Sequence, residues 1–257
     1  VRPSDGRVFS PDTSGYARGV AETSKTVDQA IRLLFEVRRG GPGSATDLSR
    51  RTEMSRQAVL RVLATLEPHG LIRRDGMQYR LGAGLVELAA GLEPDLRADA
   101  RPALAELVRE FGETAVLTVR QGDQAVPIEQ VTAPERMVRI HYRPGQAHSI
   151  ARTAHGRCLL LGMRPAEMAA LGLDVERLGP ELFRLEELGY LVSHDELEQG
   201  ASGLAAPIRG IDGRPIASLG IVTPSNRFPD ERAVARSVRR AAAEVSKSHL
   251  GQIRSKG

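Results

Sequence analysis

One cysteine, Cys158, and no tryptophan occur among the 257 residues. A single thiol cannot build a disulfide framework within the chain, which suits a reducing cytoplasm. No apolar run approaches the roughly 20 residues that cross a bilayer. The opening stretch "VRPSDGRVFSPDTSGYARGV" lacks the apolar heart of a signal peptide. It is rich in Pro, Gly, Ser and Asp, so residues 1–23 are expected to form a flexible tail. No fixed-period repeat and no long low-complexity segment interrupt the rest. A large excess of one charge is also missing, since the formal net charge is only +4. The pI is nevertheless about 9.6, and arginine supplies most of the positive charge. Its placement therefore matters more than its total.

What the chain does have is enough apolar material, 41%, for packed cores, and a length that favours two domains. Order is expected from near Thr26, which with Gln29 has the form of a capping box. Val27, Ala30, Ile31, Leu34 and Val37 recur at helical spacing. A "GGPG" break precedes a second helix with Ser44 as N-cap and Leu48 inward. A third helix starts at Ser55 and carries Val59, Val62, Leu63 and Leu66 as its buried stripe. It ends at Pro68 and Gly70. Two short strands then flank Asp75-Gly76, a hairpin signal. Helix, helix, turn, helix, hairpin is the order of a winged helix-turn-helix, placed at 24–82. A linker helix is expected over 83–94. In 95–257 the pattern changes to alternating strands: a hairpin about Gly122-Asp123, a strand over "MVRIHY", and a hairpin about Asp212-Gly213. Helices lie between and after them. That second domain is of the α+β kind, an antiparallel sheet with flanking helices.

Gln57 and Arg61 fall opposite the buried stripe of the third helix, one turn apart. Ala58 and Leu60 flank them. Arg can bond guanine bidentately, Gln can do so for adenine, and an apolar group can touch a thymine methyl. Ser55 and Arg56 stand at the helix start, where phosphate contact is expected. Arg73, Arg74 and Arg80 on the hairpin would grip the backbone or minor groove of double-stranded DNA. A solvated helix face beside a basic loop is the plain alternative. The three-helix frame with its wing favours DNA.

Taken together, "TVDQAIRLL", "ATDLSRRTEMSRQAVLRVLATLEPHGLI", "YRLG", "TAHGRCLLLGM", "LEELGY" and "DELEQGASGLAAPIRGIDGRPIASLGIV" resemble the IclR family of bacterial transcriptional regulators. The resemblance covers nearly everything after residue 23. It implies a winged helix, a linker helix and a GAF-like effector-binding domain. It also implies homodimers, which often pair into tetramers, on a pseudo-palindromic operator, with a small organic effector and no cofactor. Carried over position by position, it lines the effector pocket with Met137, His148, Ala154, His155, Ser193, Gly203, Gly220 and Val222. Relatives that take small carboxylates often have an acid at 193, a cysteine at 203 and serines at 220 and 222. Their loss here points to a larger or less polar effector. Glu53 stands where the family's turn usually has glycine.

Other chemistry is weaker. His141, His148 and His155 recur every seven residues, yet lack the short spacings of a zinc site. A Cys158–His155 nucleophile would need an orienting group and an oxyanion site. Cys158 sits in "CLLLG", which reads as core. The rival reading is an enzyme in which His155, Cys158 and His194 converge, with the winged helix as an interaction module.

Overall fold

The computed structural model describes residues 24–135, 140, 142 and 144–256, the last five without their side chains. The expected tail 1–23, Met137, His141 and most of the strand expected over 137–142 lie outside the described residues. Contacts divide the chain between Glu93 and Pro94.

The first unit opens with α1 (Lys25–Gly40), α2 (Ala45–Thr52) and α3 (Arg56–Leu66). The wing follows as β1 (Ile72–Asp75) and β2 (Gln78–Leu81), antiparallel with Asp75 opposite Gln78. The two-residue turn is therefore Gly76-Met77, one step later than the sequence suggests. α4 (Gly84–Ala90) ends the unit. Ser44 caps α2 through a capping box with Asp47. The Ser55 hydroxyl accepts the Ala58 N–H at 3.2 Å to start α3. Each such cap satisfies orphan N–H groups and contributes about 1 kcal/mol. The capping box expected at Thr26 does not form; Ser24 is the N-cap of α1, without a side-chain bond. Leu33 and Val37 of α1 join Leu48, Val59, Val62, Leu63, Leu66 and Ile72 in one apolar core. Val27 and Ile31, expected inward, are 56% and 42% exposed.

The second unit begins with α5 (Pro94–Phe111), then β3 (Thr114–Gln121), β4 (Gln124–Val131) and the two-residue β5 (His148–Ser149). Helices α6 (Ala154–Cys158), α7 (Pro165–Ala170) and α8 (Val175–Leu188) come next. The chain closes with β6 (Leu191–His194), β7 (Ala201–Arg209), β8 (Pro215–Pro224) and α9 (Glu231–Lys256). The strands form one antiparallel sheet in the order β5-β4-β3-β8-β7-β6. Side chains alternate across it. Leu204, Ala206, Ile208, Leu219 and Ile221 pack under α5 and α9. Ala205 turns to the opposite face and meets Ala154, Cys158 and Leu185 of α6 and α8. The candidate pocket lies on that second face.

Candidate functional site

α3 presents Arg56, Gln57 and Arg61 to solvent. Its other expected contacts differ. Ala58 is buried in the core and Leu60 packs half-buried against it. Ala58 is thereby out of reach of a thymine methyl, because it lies toward the apolar stripe rather than opposite it. Ser55 is exposed, with its hydroxyl engaged as the cap. On the wing, Arg73 and Arg80 stand directly across from one another. Arg80 pairs with Asp75 at 2.9 Å. The Arg74 Nε–H donates to the Gly76 carbonyl at 2.9 Å, and its guanidinium lies 6.0 Å from the Tyr79 ring centroid. Arg73 makes no ion pair among the described residues, so its side chain is the least engaged of the three. The turn before α3 is held by Glu53 at φ 58°, the left-handed backbone that glycine adopts without strain.

In the second unit, the first turn of α6, the end of β6 and the start of β7 enclose a small pocket. Ser193 on β6 lies opposite Gly203 on β7, and Gly203 opposite Val222 on β8. Thr153 caps α6, accepting the Gly156 N–H at 3.1 Å. The Ser218 hydroxyl donates to the His155 carbonyl at 2.9 Å and ties α6 to the sheet. His155 is thereby fixed in the pocket wall beside Ser193, Gly203 and Val222. Its ring is buried, and neither nitrogen has a partner among the described residues. Burial pushes its pKa down to about 3, with neighbouring His148 adding to the shift. The imidazole is therefore neutral and offers one donor and one acceptor.

Tyr142, Thr153, Glu196 and Ser202 also line this pocket, and carrying family positions over did not find them. Burial raises the Tyr142 phenol above its usual range and keeps it protonated. His148 sits behind, its ring 5.8 Å from that of Tyr142. Burial lowers its pKa as well. Ala154 is packed in the core beneath α6 rather than on the lining. Gly220 is also misplaced as a lining residue. A Cβ there would lie 1.9 Å from the Leu204 carbonyl oxygen, so the glycine permits close strand approach instead of leaving ligand space. The cavity itself measures about 10 Å³, room for about one water. The lining is thus closed and polar, not the roomy apolar cavity that the lost family polar groups suggest.

Arg157 ties α6 to α8 and to the loop after β6. Its side chain is 1% exposed and reaches Glu181 of α8 at 2.8 Å. It also bonds both carboxylate oxygens of Glu196, the Nη2 contact at 2.8 Å. Beyond Glu196, the Asp195 carboxylate accepts from the Ser225 hydroxyl and the Gly200 N–H. His194 Nδ1 pairs with the Ser202 hydroxyl at 2.8 Å. These bonds spend His194 on the loop. Cys158 donates to the Ala205 carbonyl at 3.3 Å, and burial pushes its thiol up to about 12. A thiolate nucleophile is out of reach there. Among the described residues, no three His, Cys, Asp or Glu side chains converge as metal ligands.

The model of the bacterial transcriptional regulator IclR C-terminal domain matches residues 91–247, well over half the chain. The chain belongs to the IclR family. A MarR-family helix-turn-helix model matches residues 28–77. An HTH-type transcriptional regulator of Mycobacterium tuberculosis is 30% identical over 213 residues, spanning 76% of this chain and 81% of the relative. The structure of an IclR regulator from Alicyclobacillus acidocaldarius superposes with a TM-score of 0.76 at 26% identity, covering 89% of this chain and all of that one. An IclR homologue from Microbacterium hydrocarbonoxydans, solved with 4-hydroxybenzoate, gives 0.76 at 23% identity, covering 88% and 99%. This IclR protein is therefore a DNA-binding transcriptional regulator with a C-terminal effector domain. No helix among its described residues is long and apolar enough to cross a membrane.

Proposed function

We propose that this regulator acts in the cytoplasm, without catalysing a reaction, as a homodimer on a pseudo-palindromic operator. A small organic effector would bind behind α6 and the β6–β7 connection. The observation that carries the reading is His155: a buried, neutral imidazole with both nitrogens unbonded, in a wall shared with Ser193 and Tyr142. Buried polar groups are rarely left unbonded unless a ligand or water completes them. The Microbacterium homologue's phenolic acid is a ligand of suitable chemistry, since a hydroxyl and a flat ring suit such a lining. Entry requires the Arg157–Glu196 clamp to yield, and an effector shifts the balance only by its differential affinity for the opened form. Dimerisation is supported by α4, which buries none of its residues and leaves Val86 and Leu88 exposed. Pairing of dimers into tetramers is the family habit and is proposed on that ground alone. The division of the chain into winged helix 24–82, linker helix 83–94 and effector domain 95–257 belongs to the same proposal.

One experiment addresses both sites. Operator gel shifts are run on wild type, Arg61→Ala and Gly203→Leu, with and without 4-hydroxybenzoate, pyruvate and glyoxylate. Arg61→Ala should cost about 1–3 kcal/mol on operator and far less on random DNA. The Gly203 Cβ position meets only ordinary contacts, the nearest Val222 Cγ1 at 3.4 Å. Leucine there should abolish the effector response while DNA binding persists. Equal losses on operator and random DNA, or an unaltered response in Gly203→Leu, would refute the assigned faces.

A further inference from the structure

A second concavity lies on the α9 side of the sheet, away from the His155 pocket. It is an open groove of about 930 Å³ beside β7 and α9. Its floor is short and apolar, from Ala206 and Pro207 on β7 to Ala242 and Ala243 on α9. Cations gather at its two ends. At one end Arg239 crosses to Gly189, whose Cβ position would lie 3.0 Å from Nε. Arg236 stands one turn earlier on the same helix. At the other end the Ser246 hydroxyl accepts the Arg209 backbone N–H at 2.9 Å; the Arg209 guanidinium is turned to the Gly213 carbonyl, which leaves Lys247 as the uncommitted cation there. Arg236, Arg239 and Lys247 make no ion pair among the described residues, whereas Arg240 is engaged by Glu106 at 3.4 Å.

At about 1.5 Å per helical residue, Arg239 and Lys247 are about 12 Å apart along α9. A concave, low-dielectric floor strengthens the field of uncompensated charges at its ends. Inorganic anions would use the charges and waste the floor. A fatty acid would use the floor and one end. We propose that this groove binds an elongated dianion with an apolar middle, the chemistry of a straight-chain α,ω-dicarboxylate about 12 Å long. The site is independent of the His155 pocket, so either can fail without the other. Its volume lies within the range of pockets for organic ligands.

The test is calorimetry on the full chain with decanedioate, decanoate and succinate as probes. Decanedioate should bind at least ten-fold tighter than either of the others, and more weakly as salt rises. Arg239→Glu should weaken it at least ten-fold. Ala243 is exposed on α9, so Ala243→Trp fills the groove without disturbing the core and should block binding. Gly203→Leu, in the other pocket, should leave it unchanged. No heat with decanedioate, or equal affinity for decanoate, overturns the proposal. So does loss of binding in Gly203→Leu, which would move the ligand to the His155 site. If Arg239→Glu and Ala243→Trp instead reduce DNA affinity or dissociate the oligomer while dicarboxylate heats stay unaltered, the groove is a DNA or subunit contact and the proposal falls.

Discussion

Among the described residues twelve polar or charged side chains are buried, and Glu36 alone of these lies in the DNA-binding unit. The other eleven, Arg157, His155, Ser193 and Ser202 among them, lie in the effector unit. The winged helix keeps an almost wholly apolar core and wears its arginines outside. The effector domain puts its chemistry inside. A surface that reads DNA needs only a rigid scaffold behind it, because phosphates and base edges come to the protein. A pocket that senses a small molecule must bury donors and acceptors, and each of these must be satisfied or left waiting for ligand.

Four perturbations probe that contrast. The largest effect should come from Gly220→Ala. Its Cβ cannot coexist with the Leu204 carbonyl at 1.9 Å, so β7 and β8 must part. A loss of roughly 4 kcal/mol or more is expected, read as an early thermal transition of the effector unit with the winged helix still folded. A single unchanged melt would show that the sheet has slack. Arg157→Met should follow, at about 3 kcal/mol. It strands Glu181 and Glu196, which are themselves about one-third exposed, so the cost falls at the low end for a broken buried pair. Urea unfolding measures it, and Arg157→Lys should recover part of it.

The third perturbation is acid. His155 is held at about 3 against an ordinary 6.5. Below pH 6.5 the unfolded chain takes up a proton that the folded chain refuses. Stability from the buried neutral ring is thus complete above pH 6.5 and declines as pH falls toward 3, by about 1.4 kcal/mol per unit. His148 shifts the same way. His155→Gln should flatten the slope between pH 6 and about 4.5, above the range where carboxylates add their own slope. An identical slope in the variant would mean that the ring is solvated. The smallest effect belongs to the DNA-binding unit. Glu53→Gly relieves a left-handed backbone at φ 58° and should raise stability, read in urea unfolding, by about 1 kcal/mol or less. Lower stability would show that the Glu53 side chain itself supports the turn.

The same contrast governs what could be read from the sequence. The stripe Val59–Leu66, the Ser44 cap, the helix start at Ser55 and the wing are local features, and they stand in the structure close to where the pattern put them. Local pattern failed at Val27 and Ile31, because spacing cannot distinguish a core face from an apolar face left for another surface. It failed at Ala58, which lies nearer the buried stripe than the reading face. In the effector unit the errors are of another kind. Tyr142, Ser202 and Glu196 reach the pocket through strand register and a loop anchored 39 residues from Arg157, and no periodicity encodes that. One signal was available. An arginine inside the apolar run "HGRCLLL" must find an acid if it is buried, and "SHDELE" offers several. The glycines at 203 and 220 look alike in sequence, yet one faces the pocket and the other abuts a neighbouring strand.

The sheet's borders carry a last consequence. Among the described residues its outermost strands are β5, with two residues, and β6, with four, while the inner β7 and β8 have nine and ten. A new strand arriving from another molecule would find few open amides and carbonyls to pair with. Growth by edge-to-edge stacking, the route to fibrous aggregates, is blunted by truncation at both margins. A second copy of this regulator would gain little by adding its backbone to either margin.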